Sequence, residues 1–177
     1  MRIITGKYRG RHFEVPRSFS ARPTTDFAKE NLFNVLQAYI DFSDGPTALD
    51  LFSGTGSITL ELVSRGCSRV ISVELDARHH RLIKQFLDKL QETAALPVRG
   101  DVFQYVAKCR EQFDFIFADP PYTLSQIPEL PDIILDRGLL KEGGLLVLEH
   151  GKQNDFSQHP RFVEHRSYGS VNFSFFN

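Results

Sequence analysis

From Thr47 onward, apolar residues occur in short continuous runs that alternate with stretches in which they recur at helical spacing. The short runs are typical of buried strands, and the spaced positions are typical of amphipathic helices. The predicted strands cover 48–52, 69–74, 97–100, 113–118 and 145–149. The predicted helices cover about 57–65, a segment whose apolar residues between 82 and 90 have helical spacing, and a short segment after Asp101. This alternation predicts a parallel sheet with helices on both faces.

Both ends of the sequence alternate apolar and polar residues in the manner of β-hairpins. At the start, residues 2–5 and 12–15 flank a turn through Gly6 to Gly10. At the end, residues 162–168 and 171–176 flank Gly169. The second hairpin would add two strands to the five predicted above.

A helix is predicted between the first hairpin and the sheet, because residues that favour helix N-caps precede apolar residues at helical spacing. Thr24, Thr25 or Asp26 would be the cap. The apolar face would consist of Ala28, Leu32, Val35, Leu36 and Tyr39.

The fold class is therefore α/β. We predict one Rossmann-like, doubly wound domain over residues 1–177, with a mostly parallel seven-stranded sheet that ends in a β-hairpin. Residues 1–24 would form a basic extension of hairpin and loop.

The composition indicates what class of protein this is, but it does not indicate a function. A hydrophobic content of 41% is sufficient for a core, and no apolar run approaches the ~20 residues that a membrane-spanning helix needs. The start of the sequence is basic and lacks the apolar segment of a signal peptide. Cys67 and Cys109 have no metal-ligand or redox spacing. We expect a cytoplasmic, monomeric protein with neither a membrane anchor nor a metal.

Charge is distributed unevenly along the chain. The net charge is −1, but residues 1–25 contain six basic residues against Glu14 alone, so this segment carries +5 and the remainder −6. The basic residues are Arg2, Lys7, Arg9, Arg11, Arg17 and Arg22. Such an arm could bind nucleic acid by displacing counterions from phosphates, or it could be a solvated hairpin. Charge alone leaves both interpretations open.

Ligands of doubly wound sheets bind beyond the carboxyl ends of the strands. After the first predicted strand, Gly54 and Gly56 permit a tight turn and close approach of a ligand to the backbone. Thr59 stands where a dinucleotide fingerprint has its third glycine, which argues against a nicotinamide cofactor. Glu74 ends the second strand, where a carboxylate can accept hydrogen bonds from ribose hydroxyls. Asp101 ends the third, where it could bind an adenine amino group or cap a helix.

The most specific motif follows the fourth strand and reads Asp119-Pro120-Pro121-Tyr122. Two prolines hold the backbone extended and remove two amide donors, so their carbonyls should be free to face a ligand. The Asp119 carboxylate and the Pro120 carbonyl could each accept one hydrogen of a base amino group. The nitrogen lone pair could then point at a methyl donor, while Tyr122 offers a surface for stacking of the base. The alternative interpretation is a simple proline-rich turn.

These motifs resemble those of class I methyltransferases that act on exocyclic amines. The whole chain also resembles the RsmD family, the 16S ribosomal RNA guanine-N2 methyltransferases. The segments that carry this resemblance are 2–11, 22–26, 30–34, 64–66 and 148–150, together with the core motifs.

The resemblance implies S-adenosylmethionine as cofactor, 16S ribosomal RNA in an assembling small subunit as partner, and catalysis by residues 119–122. It implies cofactor contacts from Asp50, Phe52, Gly54, Gly56, Glu74, Leu75, Asp101, Val102 and Asp119. It implies RNA contacts from Arg2, Lys7, Arg9, Arg11, Arg22 and Thr24.

Other functions are compatible with the same motifs. A DNA adenine-N6 methyltransferase would use the same tetrapeptide but generally needs a separate target-recognition region. A protein-glutamine methyltransferase usually has Asn at the position of Asp119 and does not need a basic arm. A non-catalytic RNA-binding assembly factor could retain the fold as a scaffold.

Overall fold

The computed structural model describes residues 1–19 and 25–177. The helices are α1 (Asp26–Leu36), α2 (Ser57–Arg65), α3 (Ala77–Leu90), α4 (Val102–Lys108) and α5 (Leu130–Leu135). The strands are β1 (Thr47–Leu51), β2 (Arg69–Glu74), β3 (Ala95–Arg99), β4 (Phe113–Ala118), β5 (Leu140–His150), β6 (Phe162–Tyr168) and β7 (Val171–Phe176).

The seven strands form one sheet in the order β3-β2-β1-β4-β5-β7-β6. The first five strands are parallel, and β7 and β6 complete the sheet as an antiparallel hairpin. This confirms the predicted doubly wound sheet and its C-terminal hairpin. The strand order reverses direction between β1 and β4, which is where a ligand is expected in such folds.

β1 and β3 begin one or two residues earlier than the sequence predicted, and three larger differences concern β5, α5 and α1. β5 begins at Leu140 rather than near Leu145. The helix α5 was not predicted, because it has only six residues and Pro131 interrupts the apolar pattern; a proline at the start of a helix is nevertheless tolerated. The helix α1 ends at Leu36, so Tyr39 lies beyond it and is exposed.

The cap of α1 is Thr25, whose hydroxyl accepts a 3.1 Å hydrogen bond from the backbone N–H of Ala28. Thr24, the alternative cap, lies outside the described residues. The buried face of α1 contains Ala28, Leu32 and Leu36 as predicted, and it also contains Phe33 and Lys29. Nothing in the sequence indicated that Lys29, a charged residue, is buried.

The core packs on both faces of the sheet. On one face, α1 and α2 cover a cluster that contains Phe115, Phe117, Phe173 and Phe175. On the other face, α4 and α5 cover the apolar side chains of β1, β2, β4 and β5.

The first fifteen residues pack against α2 and α3. Ile3 and Phe13 are buried in a cluster with Leu60 and Phe86. The predicted N-terminal β-hairpin is not formed as two strands: the only antiparallel bridge in this segment joins Arg2 to His12. Backbone bonds cross the segment from Ile3 to Arg11 and between Met1 and Phe13. Beyond Ile3, the backbone N–H groups of Ile4 and Thr5 bond to Glu61 of α2 instead, so regular strand pairing is not continued.

Candidate active site

A cavity of about 850 Å³ lies at the carboxyl ends of β1 to β5. This volume falls within the range of small-molecule binding sites. Of the residues assigned above to catalysis and cofactor binding, those that line the cavity are Asp50, Phe52, Gly54, Glu74, Leu75, Asp101, Val102, Asp119, Pro120, Pro121 and Tyr122. Gly56 does not line it but is the N-cap of α2 immediately beside it.

The turn after β1 depends on backbone angles that few residues adopt. Gly54 has φ +53° and Gly56 has φ +83°, and Phe52 is a non-glycine residue with φ +59°. A Cβ at position 56 would lie 2.8 Å from Cγ1 of Ile83, whereas one at position 54 would meet nothing within 4 Å. The two glycines therefore have different roles: Gly56 allows α2 to pack on α3, and Gly54 leaves open space for a ligand.

Glu74 is buried at the end of β2 and stabilises the turn that follows β1. Its Oε2 accepts a 2.7 Å hydrogen bond from the Gly54 backbone N–H, and its Oε1 accepts one of 2.7 Å from Asp76. His79 also lines the cavity, with Nδ1 3.9 Å from Oε1 of Glu74. The other ring nitrogen of His79, Nε2, is buried without a hydrogen-bond partner among the described residues.

Asp101 serves as the helix cap that the sequence allowed. Its carboxylate accepts a 2.9 Å hydrogen bond from the backbone N–H of Gln104, at the start of α4. The same residue lines the cavity, as do Leu75 and Val102. The cap and a ligand contact are compatible, because an ionised carboxylate can accept several hydrogen bonds.

Asp50 is a buried carboxyl group within β1. The Thr59 hydroxyl donates a 2.5 Å hydrogen bond to its Oδ2. Burial raises the pKa of Asp50 to about 7, and the charge of Glu74 contributes to this rise. In the sequence, Thr59 was noted only because it occupies the position of the third glycine in a dinucleotide fingerprint. In the structure, its hydroxyl reaches Asp50 from α2 and stabilises the carboxyl group.

Asp119 follows β4 and lies half-buried in the cavity wall. Burial is the main cause that raises the pKa of Asp119 well above its usual range, and the nearby charges of Glu149 and Asp50 raise it further. A cation bound beside these three carboxylates would favour their ionised forms.

The two prolines differ in the availability of their carbonyls. The expectation that both are free was wrong for Pro121, whose carbonyl accepts a 2.8 Å hydrogen bond from Leu124. This bond closes the turn after the tetrapeptide. The Pro120 carbonyl accepts no backbone hydrogen bond from the described residues.

Tyr122 is held in place by Glu149, a residue to which sequence reasoning gave no role in the site. The Tyr122 hydroxyl donates to Oε1 of Glu149 at 3.1 Å. Glu149 lies near the carboxyl end of β5 and lines the cavity with Asp119. The rule that located Asp119, an acidic residue at the end of a predicted strand, applies equally to Glu149.

Of the predicted RNA-binding residues that the structure describes, Arg2 and Lys7 lie apart. Arg2 is near the start of α1, where its Nε is 3.6 Å from Asp26. Lys7 forms a 2.6 Å ion pair with Glu92, beyond the far end of α3. The backbone N–H of Lys7 donates to the carbonyl of Ser64 in α2. Ser64 is seven residues from Ser57, which lines the cavity, and this separation corresponds to about 10 Å along the helix.

Arg9 and Arg11 are exposed and form no ion pair with any described residue. Arg22 falls in the segment 20–24, outside the described residues, as does Thr24.

Neither a metal site nor a membrane span is found in residues 1–19 and 25–177. No three or more His, Cys, Asp or Glu side chains of this part of the chain are grouped so as to hold a metal ion. None of its helices is long and apolar enough to cross a membrane.

The strand order and the cavity at the carboxyl ends of the strands define a class I methyltransferase fold. The family model described as "Conserved hypothetical protein 95" matches residues 1–177, so the chain belongs to that family. The resemblance to the RsmD family is confirmed by the relatives that follow.

YlbH of Bacillus subtilis (strain 168) is 36% identical over 157 residues, which cover 86% of this chain and 84% of YlbH. Ribosomal RNA small subunit methyltransferase D of Escherichia coli (strain K12) is 34% identical over 155 residues, which cover 87% of this chain and 76% of that protein. A solved structure from Thermus thermophilus has a TM-score of 0.87 at 30% identity, and the alignment covers 100% of this chain and 99% of that one.

Proposed function

We propose that this protein transfers a methyl group from S-adenosylmethionine to the exocyclic N2 amine of a guanine in 16S ribosomal RNA. The observation that carries the proposal is that Asp119 to Tyr122 open into the same cavity as Gly54, Glu74 and Asp101. A methyl donor and an amine acceptor can therefore meet within one cavity. The family relationship to a small-subunit ribosomal RNA methyltransferase supports the choice of substrate.

The residues present fit S-adenosylmethionine. Gly54 leaves space beside the backbone, the buried carboxylate of Glu74 can accept ribose hydroxyls, and Asp101 can accept an adenine amine. Nε2 of His79, which has no hydrogen-bond partner within residues 1–19 and 25–177, is a further polar atom at this wall. When bound, the cofactor supplies a methyl group activated by a positively charged sulfur.

The amine is recognised by two acceptors of fixed position. The Asp119 carboxylate and the Pro120 carbonyl each accept one N–H, which draws the nitrogen away from planarity and exposes its lone pair. Glu149 holds the Tyr122 hydroxyl, so that the ring is set at a fixed angle for stacking of the target base. Asp119 must be ionised to act as an acceptor for both the amine and any proton that the nitrogen releases.

RNA binding is assigned to the basic side chains of the arm and to the residues that follow it. Arg9 and Arg11 are exposed for phosphate contacts, and the Arg2 carbonyl accepts a hydrogen bond from Lys29, which also bonds to Ser57 at the cavity. We also assign Lys7, Arg22 and Thr24 to this surface. Because Ile3 and Phe13 belong to the core, deletion of the arm would damage the fold. The arm is better tested by Arg9→Gln with Arg11→Gln, which should reduce the dependence of RNA affinity on salt.

The decisive experiment measures radiolabelled methyl transfer from S-adenosylmethionine to unmodified small ribosomal subunits, free ribosomal RNA and DNA in parallel, followed by nucleoside analysis. We expect N2-methylguanosine from 16S ribosomal RNA, with the assembling subunit as the better substrate, consistent with a cytoplasmic site of action. Label in DNA adenine would favour a DNA methyltransferase. RNA binding without any transfer would favour an assembly factor.

A further inference from the structure

A row of four aromatic rings leads from the cavity wall to the protein surface. Phe117 lines the cavity, and its ring centroid is 6.2 Å from that of Phe173. The Phe173 ring is 6.1 Å from Tyr168, and the Tyr168 ring is 6.2 Å from Phe27. The row connects the candidate active site with the beginning of α1.

Phe27, the outer member of this row, is 65% exposed. Its ring meets that of Tyr168 at 85°, in an edge-to-face arrangement. It is placed in the first turn of a capped helix, and the Asn31 side chain donates a 2.8 Å hydrogen bond to the Phe27 carbonyl. A single exposed apolar residue is ordinary, but this ring projects from a fixed helix onto a second aromatic that is anchored in the core.

The pair of Phe27 and Tyr168 lies on the same edge of the sheet as the cavity. In the hairpin, Tyr168 pairs with Val171, and the neighbouring Asn172 pairs with His150 at the end of β5. Tyr168 is therefore one residue pair beyond His150 and two beyond Glu149, the residue of β5 that lines the cavity. From α1, the buried Lys29 donates a 3.0 Å hydrogen bond to the hydroxyl of Ser57, which also lines the cavity.

Two arginines flank the aromatic pair. The Arg2 side chain is 44% exposed next to Asp26, the residue before Phe27. The Arg166 side chain is 50% exposed and lies two residues before Tyr168 on the same face of β6. Arg2 and Arg166 each contact one carboxylate, of Asp26 and Glu164, but a guanidinium has five N–H donors and retains some for phosphates.

We propose that Phe27 and Tyr168 form a stacking surface for an unpaired base of the RNA substrate, a neighbour of the base that enters the cavity; this rests on the proposed function. Withdrawal of one base from a stack leaves its neighbours exposed, and aromatic faces bind such bases regardless of sequence. The arginines on either side would contact the adjoining phosphates.

The test compares Phe27→Ala and Phe27→Trp with the wild-type protein in methyl transfer to unmodified small subunits. We expect the KM for the RNA substrate to rise roughly tenfold in Phe27→Ala and to return toward the wild-type value in Phe27→Trp. The kcat and the affinity for S-adenosylmethionine should change less than twofold. The slope of RNA affinity against salt concentration should also be unchanged, because stacking releases no counterions.

Tyr39→Ala is the matched control. Tyr39 is also an exposed aromatic, and it packs against the same hairpin, with its ring 6.1 Å from that of Phe175. It lies beyond the opposite end of α1, and its hydroxyl bonds to Glu164 in the first half of β6. Its substitution should leave the KM for RNA unchanged.

A KM for Phe27→Ala within twofold of the wild-type value overturns the stacking proposal. An equal rise in Tyr39→Ala also overturns it, since the effect would then come from the packing of the hairpin. Loss of binding to a ribosomal protein with unchanged affinity for naked RNA would assign the surface to a protein partner instead. Absence of methyl transfer to RNA by the wild-type protein would reject the proposed function itself.

Discussion

The Gly54 backbone N–H donates a 2.7 Å hydrogen bond to Oε2 of Glu74, so that β2 holds the turn that follows β1. The second oxygen of Glu74 holds the loop after β2 through Asp76. An ionised carboxylate has about four lone-pair sites, so two remain for ligand hydroxyls. The same side chain can therefore shape the cavity and bind the cofactor.

Glu74→Gln should weaken S-adenosylmethionine binding by about tenfold or more, because a hydrogen bond to a charged group contributes about 1.5–3 kcal/mol. The amide group of Gln would also oppose one of the two backbone N–H donors, so thermal stability should fall. Calorimetric titration and thermal unfolding measure the two effects. Glu111→Gln, which alters an exposed carboxylate paired with Arg69, should change neither. Unchanged cofactor affinity in Glu74→Gln would remove Glu74 from the proposed binding site.

Asp119→Ala should lower kcat by about a hundredfold or more, by analogy with the loss of one preorganised polar contact to a transition state. Cofactor affinity should stay within a few-fold of the wild-type value, since other residues of the cavity hold the cofactor. Single-turnover transfer and equilibrium binding separate the two. The variant Asp136→Ala, at an exposed helix end, is the control. Wild-type turnover in Asp119→Ala would contradict its role in amine recognition.

Gly56→Ala should destabilise the protein more than Gly143→Ala. The two glycines have similar angles, φ +83° and φ +75°, so the backbone strain should be similar, at about 1–2 kcal/mol. Only at position 56 would the added Cβ press on Ile83, which should add about 1–3 kcal/mol of overpacking. Chemical denaturation of both variants measures the difference. Equal destabilisation would mean that α3 moves without cost.

Glu61→Gln should destabilise the protein by about 3–5 kcal/mol, as expected when one member of a buried ionic network is neutralised. Glu61 is fully buried and accepts hydrogen bonds from the backbone of Ile4 and Thr5 and from Arg65. Its Oε2 lies 3.7 Å from the buried Lys29 ammonium. The exposed pair altered in Glu111→Gln should contribute less than about 1 kcal/mol. Similar losses in the two variants, measured by urea denaturation, would show that the buried network does not stabilise the arm.

Stability should depend on pH through Asp50. Its pKa is raised from 3.8 to about 7, so the folded protein binds this proton more tightly than the unfolded chain does. The resulting stabilisation is complete below the unfolded pKa and is lost as the pH rises through the folded pKa. Between pH 5 and pH 7, this group should lower the free energy of unfolding by up to about 1.4 kcal/mol per pH unit.

Asp50→Asn removes this titration, so stability should fall less steeply with pH in ligand-free protein, while Asp119, whose pKa is also raised, keeps its own contribution. The Thr59 hydroxyl can still donate to the amide oxygen, so the packing should be retained. Asp41→Asn, at an exposed carboxylate, should keep the wild-type slope. If Asp50→Asn has the same slope as the wild-type protein between pH 5 and pH 7, Asp50 does not titrate in this range.

The candidate site was largely predictable because it follows from strand endings. Parallel strands bring their carboxyl ends to one edge, so Glu74, Asp101 and Asp119 could be assigned to a common site from sequence order. The same rule applies to Glu149, but it could not identify Glu149 as the partner of Tyr122. The bond between these two residues depends on β5 pairing next to β4, a neighbour relation that linear order does not specify.

By itself, the sequence determined the local elements and the fold class, because hydrophobic periodicity and turn residues act over short distances along the chain. It also determined the tetrapeptide that follows β4. Tertiary structure decided which polar groups are buried and which charges remain available. Lys29 and Glu61 are enclosed, while Lys7 is bound to Glu92 and distant from the cavity. The physical reason is that burial and ion pairing depend on segments far apart in sequence, which only packing brings into contact.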